Sequence, residues 1–133
     1  MLLPANRGKG SASTQLRRIT LFGKEDSMAK VAYIDVDDTL VRSAGTKRIP
    51  IISVVRHVKA LKEEGWELYC WSSGGGDYAK ASAEELGIGA CFVGFLPKPD
   101  VLIDDVPPQS WSFLRVIHPA EIKEPNQSPE PTR

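Results

Sequence analysis

The stretch VAYIDVDDTLV, residues 31–41, decides how this sequence folds and where its chemistry lies. Its first residues are β-branched, aromatic and apolar, which predicts a buried strand. Three carboxylates, those of Asp35, Asp37 and Asp38, come directly after that strand. Because like charges so close together repel one another, the sequence indicates that a positive group lies beside them.

The segments after this stretch alternate between helix and strand patterns. Apolar residues recur at helical spacing in IISVVRHVKALKEEG, residues 51–65, and a second helical pattern, DYAKASAEELG, covers residues 77–87; each ends at a glycine suited to a C-terminal cap. The strand-like runs are WELYCWS (66–72), ACFVGFL (90–96), VLIDDV (101–106) and SFLRVIH (112–118). This order predicts an α/β fold, a three-layer, Rossmann-like parallel sheet with flanking helices.

The composition changes at both ends of the chain. Residues 1–27 are rich in Gly, Ser, Lys and Arg, which predicts a flexible basic tail, with contact to a phosphate backbone as the alternative. Residues 119–133 contain four prolines and little apolar surface, which predicts a disordered tail. The predicted domain therefore spans residues 28–118.

Charge and cysteine content limit the partners and the compartment. Lys plus Arg and Asp plus Glu both total 17 in 133 residues, so the formal net charge is zero. We expect no membrane partner, and the net charge does not support a nucleic-acid end as substrate, although that substrate stays open. Cys70 and Cys91 fall in apolar segments, which favours free thiols and a cytoplasmic location.

Polar residues follow three of the predicted strands. Ligands of parallel α/β sheets bind beyond the carboxyl ends of the strands, so residues at these ends converge on one edge. A lysine lies just before the last of the three strands. The converging residues are Asp35, Asp37, Ser72, Ser73, Gly74, Lys98, Asp104 and Asp105.

This combination suits a Mg²⁺ ion and a phosphoryl group. Mg²⁺ prefers hard oxygen ligands, which makes Asp35 and Asp104 the predicted side-chain ligands. Backbone amides from Gly74 onward at a helix start favour a phosphate, with Ser72 as a hydroxyl donor and Lys98 as a cation. An aspartate near phosphorus can attack it, and a second carboxylate two residues on can transfer the protons.

Four motifs resemble, in order, those of the haloacid dehalogenase superfamily of phosphohydrolases. They are DVDDT at 35–39, a strand ending in Ser72, KP at 98–99 and DD at 104–105. The resemblance implies Asp35 as nucleophile, Asp37 as general acid/base and Lys98 as the charge-neutralising residue. It also implies Ser72 as the phosphate ligand, a role that Ser73 could exchange with it.

The same resemblance implies the metal and a small, capless member of the superfamily. Mg²⁺ would be held by Asp35, the backbone carbonyl of Asp37, and Asp104 with Asp105. Only RSAGTKRI, residues 42–49, separates the first motif from the next helix, which leaves room for a small basic flap but not for a cap domain. That flap, with Arg42, Lys47 and Arg48, either holds a second phosphate or is a solvated loop.

The predicted function is Mg²⁺-dependent hydrolysis of a phosphate monoester through an aspartyl-phosphate. The alternatives are a phospho-accepting, receiver-like signalling domain and a non-catalytic metal-binding module of the same fold. The receiver order places the serine or threonine and the lysine after the second acid, whereas here Ser72 and Lys98 both precede Asp104. The substrate, small or macromolecular, and the oligomeric state stay open.

Overall fold

The structure is a computed structural model that describes residues 18–19, 25–26 and 29–123. It divides into two units, residues 1–30 and residues 31–133. In the first unit, β1 (Arg18–Ile19) and β2 (Glu25–Asp26) form an antiparallel pair inside the predicted basic tail. The rest of residues 1–27, and residues 124–133 of the predicted C-terminal tail, lie outside the described residues.

The described part of the second unit, residues 31–123, is an α/β arrangement of five strands and two helices. Three short 3-10 helices, at Gly89–Cys91, Pro108–Ser110 and Pro119–Glu121, complete it. In chain order the main elements are β3 (Val31–Asp35), β4 (Val41–Ala44), β5 (Lys47–Pro50), α1 (Ile52–Glu63), β6 (Glu67–Ser72), α2 (Gly76–Glu85) and β7 (Gly94–Pro97).

A parallel sheet of three strands, in the order β3-β6-β7, organises this unit. Its register sets Asp35 opposite Trp71, and Ser72 opposite Pro97. The carboxyl ends of the strands are therefore level. Strands β4 and β5 form a separate antiparallel hairpin between β3 and α1. The predicted α/β class and the parallel sheet are confirmed.

Both helices contribute to one hydrophobic core on one face of the sheet. Strand β6 alternates strictly between buried and half-buried side chains, and Leu68 and Cys70 are its buried apolar residues. The helices add β-branched and small residues, namely Val54, Val55 and Val58 from α1, and Ala79 and Ala83 from α2. Burying apolar side chains of this size stabilises the fold by about 1.5–3 kcal/mol for each Val or Leu.

The opposite face of the sheet carries aromatic side chains. Tyr33 lies against Tyr69, with ring centroids 5.3 Å apart, and meets Trp71 edge to face at 4.9 Å. The described residues thus form two layers where the sequence predicted three. The reason is topological, because right-handed crossovers that advance in one direction from β3 to β6 to β7 bring both helices to the same face.

Two predicted strands are wrong. Residues 101–106 and 112–118 form no ladder with any described strand, and Ile103 and Val116 are 92% and 87% exposed. Their β-branched composition raises strand propensity, but a strand exists only where a neighbour completes its hydrogen bonds. Pro99 and Pro107 also bound the first of these segments closely.

The predicted helix ends are confirmed. Gly65 and Gly87, just past α1 and α2, have φ angles of 93° and 77°, in the left-handed region that glycine enters without steric cost. Beyond the predicted domain end at residue 118, Ile122 packs against the core. Among the described residues, no helix has the length and apolar character needed to cross a bilayer.

Candidate active site

An ion pair at the carboxyl edge of the sheet joins β3 to the residue after β7. Lys98 Nζ lies 3.1 Å from Asp35 Oδ1, and both side chains are partly exposed. The backbone amide of Lys98 donates to the carbonyl of Ser72 at 2.9 Å, which continues the ladder between β6 and β7 by one residue. Lys98 is therefore the positive group that the acidic stretch predicted.

Asp35 has a second partner, and Lys98 a second neighbour. Thr39 Oγ1 donates to Asp35 Oδ2 at 3.2 Å, so both carboxylate oxygens are contacted. Lys98 Nζ also lies 5.8 Å from the centroid of the Trp71 ring, within cation–π range. These contacts orient an ion pair at a site that solvent reaches.

The turn after β6 begins at Ser72, which is only 1% exposed. Its hydroxyl accepts from the backbone amide of Gly74 at 2.9 Å, and its carbonyl accepts from the amide of Gly75 at 3.0 Å. Gly75 has a φ of 108°, which a side chain would disfavour. Ser73, by contrast, is exposed. Ser72 thus shapes the turn, and Ser73 is the exposed serine of the pair.

The loop between β3 and β4 folds back on the carbonyl of Val36. That oxygen accepts from the amides of Leu40 and Val41 at 2.8 Å and 3.1 Å. Asp38 adopts a φ of 63°, is exposed and lies in a turn, as expected of a solvated turn residue. Asp37, also exposed, lies beside it at the same edge.

Asp37 contacts a residue that the sequence did not single out. Tyr78, in the first turn of α2, donates its hydroxyl to Asp37 Oδ1 at 2.7 Å. This hydrogen bond raises the pKa of Tyr78 above its usual value, desolvation adds to the rise, and the nearby Arg48 opposes it. Tyr78 follows the Gly74–Gly76 run by two positions, and that closeness to a predicted phosphate loop is the signal that could have marked it.

The hairpin β4–β5 is fastened to α2 through Arg48. Its guanidinium donates to Tyr78 Oη at 3.1 Å and to Ser82 Oγ at 3.0 Å, and it pairs with Glu85. Arg48 is therefore occupied, whereas Arg42 and Lys47 of the predicted basic flap are exposed. The flap is present as a hairpin, and one of its three cations is committed to the fold.

Asp104 and Asp105 are exposed in the segment after β7. Asp104 Oδ1 accepts from the amide of Val106 at 3.0 Å, the local bond of a turn residue. The donor chemistry of Asp35, Asp104 and Asp105 fits Mg²⁺, since carboxylates are hard oxygen ligands. The described residues nevertheless contain no group of three His, Cys, Asp or Glu placed to hold an ion.

The two cysteines are free thiols, as predicted. Cys70 lies buried behind the site, and burial, followed by the charge of Asp35, raises its pKa from 9.0 to about 12. It is inert at neutral pH and serves as a core residue.

Comparison with protein-family models, curated proteins and solved structures gives no match for this chain. Any assignment of function therefore depends on the residues and contacts described above.

Proposed function

We propose that this chain is a Mg²⁺-dependent phosphatase that hydrolyses phosphate monoesters through an aspartyl-phosphate, with Asp35 as nucleophile and Asp37 as general acid/base. The fold that accompanies this proposal is the small, capless form of the haloacid dehalogenase superfamily. Four ordered motifs in the sequence support it, and three of them lie at the same edge of the sheet.

The observation that carries the proposal is the ion pair between Lys98 and Asp35 at that edge. The Lys98 ammonium, 3.1 Å from Asp35 Oδ1, fixes the position of this carboxylate at the edge where a phosphoryl group would enter. The same ammonium can contact a phosphoryl oxygen as negative charge develops there. Ser73 offers an exposed hydroxyl to the same group, and Ser72 holds the turn beneath it.

The reaction takes place in two displacements at phosphorus. In the first, an Asp35 oxygen forms a bond to phosphorus while the bond to the ester oxygen breaks, and Asp37 gives its proton to the departing alcohol. In the second, Asp37 takes a proton from water, whose oxygen attacks phosphorus and breaks the bond to Asp35. The products are the alcohol and inorganic phosphate, and both aspartates return to their starting state.

Mg²⁺ would be held by Asp35, the backbone carbonyl of Asp37, and Asp104 with Asp105. When bound, it would reduce the repulsion between the carboxylates and an incoming phosphate dianion. Lys98 reduces the same repulsion from the protein side.

Among the described residues, the segments between the motifs are too short for a cap domain, which supports an open site. Residues 36–51 contain only the hairpin, and residues 73–93 contain only α2 and one 3-10 helix, all of them described. An open site admits generic aryl phosphates as well as macromolecular phosphate esters. We also place the protein in the cytoplasm, because both cysteines are free.

The test is a hydrolysis screen in the presence of Mg²⁺, using an aryl phosphate, a sugar phosphate, a phosphopeptide and a phosphorylated oligonucleotide end. Asp35→Asn should abolish turnover of every substrate that the wild-type protein hydrolyses. Asp38→Asn is the matched control, since it makes the same chemical change at an exposed turn residue with φ 63°, a conformation asparagine tolerates. Wild-type turnover by Asp35→Asn would overturn the assignment.

A further inference from the structure

Tyr78 and Arg48 link the hairpin to Asp37 through a continuous set of hydrogen bonds. Arg48 Nη2 lies 3.1 Å from Tyr78 Oη, and Tyr78 Oη lies 2.7 Å from Asp37 Oδ1. The Arg48 guanidinium carbon also lies 5.5 Å from the centroid of the Tyr78 ring. The loop after β3, strand β5 and helix α2 therefore meet at one phenol oxygen.

The direction of these hydrogen bonds is determined by chemistry. A guanidinium has five donors and no acceptor, so Arg48 can only donate to Tyr78 Oη. Asp37 Oδ1 accepts from Tyr78 whether Asp37 has given up its transferable proton or carries it on Oδ2, so the single proton of Tyr78 goes to Asp37 Oδ1. The phenol cannot turn its proton elsewhere without losing one of these two partners.

Arg48 is itself held in place on α2. It donates to Ser82 Oγ at 3.0 Å, Ser82 is buried, and Glu85 pairs with the other guanidinium nitrogen. Because the planar Arg48 guanidinium already has these partners, it loses little side-chain entropy when it also makes the hydrogen bond to Tyr78. The hairpin that carries Arg48 is thus locked to the helix that carries Tyr78.

The Tyr78 ring also has a defined place. A Cβ atom added at Gly74 would lie 3.0 Å from Tyr78 Cδ2, so the ring lies directly over this glycine. The phenol therefore reaches Asp37 from a fixed position, not from a mobile side chain. With Asp37 Oδ1 occupied, Oδ2 is the oxygen left for proton transfer.

We infer that Tyr78 is a positioning residue for Asp37, and that Arg48 lets the β4–β5 hairpin control the orientation of this carboxylate. The inference rests on the proposed function, in which Asp37 transfers the protons. An acid/base group held in one orientation contributes more to the rate than one that must be ordered at each turnover. Displacing the hairpin would remove the Arg48 donor from Tyr78 Oη and lower turnover without removing any group that touches substrate.

The first test is steady-state kinetics on an aryl phosphate. Tyr78→Phe keeps the ring and removes the hydroxyl, and we expect kcat to fall about 10-fold with little change in KM, since Tyr78 touches Asp37 and not the substrate. Tyr69→Phe is the control, because the described residues give its hydroxyl no hydrogen-bond partner, and it should keep wild-type kcat. Unchanged kcat in Tyr78→Phe would overturn the inference.

The second variant separates the role of Arg48 from that of Tyr78. Arg48→Lys keeps the charge but lacks the fork that reaches Tyr78, Ser82 and Glu85 together. It should lower kcat in the wild-type background and have no further effect in the Tyr78→Phe background. Equal reductions in both backgrounds would show that Arg48 acts by another route.

The third measurement needs no activity. A double-mutant cycle with Asp37→Ala, which removes the acceptor, and Tyr78→Phe, followed by urea unfolding, should give an unfolding constant at least about twofold away from the additive expectation. An additive cycle would overturn the contact. If the wild-type protein hydrolysed none of the phosphate esters, the proposed function and the role of Asp37 in it would both be refuted. An active protein with an additive cycle would refute only the positioning role of Tyr78.

Discussion

Two stretches of this chain place acidic residues after apolar segments, and they differ in what surrounds them. The site edge, residues 35–39, 71–78 and 97–98, lies where three hydrogen-bonded strands end. The C-terminal segment, residues 99–118, has its apolar side chains largely in solvent and its acids in a turn. The first stretch brings carboxylates, a lysine and a glycine turn together, whereas among the described residues the acids of the second complete no group of three side chains placed to hold a metal ion.

The difference shows that the register of the sheet, more than amino-acid composition, determines which side chains lie close together. Asp35 and Lys98 are 63 positions apart, yet two parallel pairings through β6 bring them within 3.1 Å. Asp104 is closer to Lys98 in sequence, but no ladder fixes residues 101–106 among the described strands. Substitutions in each stretch can test this contrast in solution.

The largest expected effect concerns the nucleophile. Asp35→Asn replaces the carboxylate of the proposed nucleophile by an amide, and we expect kcat/KM to fall on the order of 10³-fold or more in an aryl phosphate assay. Circular dichroism should show an intact fold, because Thr39 Oγ1 can still donate to the amide oxygen. If Asp35→Asn kept more than a tenth of the wild-type activity, the site edge would not contain the nucleophile, and the proposed difference between the two stretches would be refuted.

The next prediction compares the stability of the two stretches. Leu68 is fully buried in β6, so Leu68→Ala should lower the free energy of unfolding by about 2–5 kcal/mol. Ile103 is 92% exposed, so Ile103→Ala should change it by less than about 0.5 kcal/mol. Urea unfolding of both variants checks the pair. A cost above 1.5 kcal/mol for Ile103→Ala would mean that the C-terminal segment packs on the domain.

The strand and the helix on which the site edge depends could be predicted from the sequence. The remaining features depend on contacts between residues that are distant in sequence. The β-branched run ending at Asp35 and the helical spacing ending at Gly65 are local patterns, and both elements formed as expected. Tyr78 was missed because its partners, Arg48 and Asp37, lie 30 and 41 positions away. No periodicity encodes such a meeting of segments.

The two wrongly predicted strands, at residues 101–106 and 112–118, have local composition as the cause of the error, not contacts between distant residues. The segment VLI, residues 101–103, has the composition of a strand, but strand propensity reflects packing on neighbours that the sequence does not display. The burial of Ser72 beside the exposed Ser73 was likewise open, because two adjacent serines at a strand end differ only by which face each one meets.

A third prediction asks whether the C-terminal segment takes part in metal binding. Asp104→Ala should raise the Mg²⁺ concentration for half-maximal activity about 10-fold or more, because a carboxylate ligand is lost. Asp100→Ala, an exposed aspartate in the same segment, is the matched control. Treatment with EDTA should remove activity, and added Mg²⁺ should restore it. Equal responses of the two variants would exclude Asp104 from the metal site.

The smallest expected effect is a pH dependence of the free energy of unfolding, which is due to Cys70, a residue buried behind the site edge. An ordinary cysteine thiol has a pKa of 9.0, whereas the pKa of Cys70 in the folded protein is about 12. Above pH 9 the unfolded chain therefore releases a proton that the folded chain keeps, and stability falls as the pH rises toward 12.

Urea midpoints measured at pH 8 and pH 10.5 would test this dependence. The wild-type midpoint should fall more than that of Cys70→Ala, and Cys91→Ala is the control for the half-buried thiol. Equal falls in wild type and Cys70→Ala would show that the Cys70 thiol titrates alike in both states.

The order of the parallel sheet has a consequence for biosynthesis. Strands β3, β6 and β7 lie side by side in the order in which the ribosome produces them. Each new strand adds to the outer edge of the one before it and never has to insert between strands that have already paired. The sheet can therefore grow during translation, with β3 and its aspartate in place before Lys98 is synthesised.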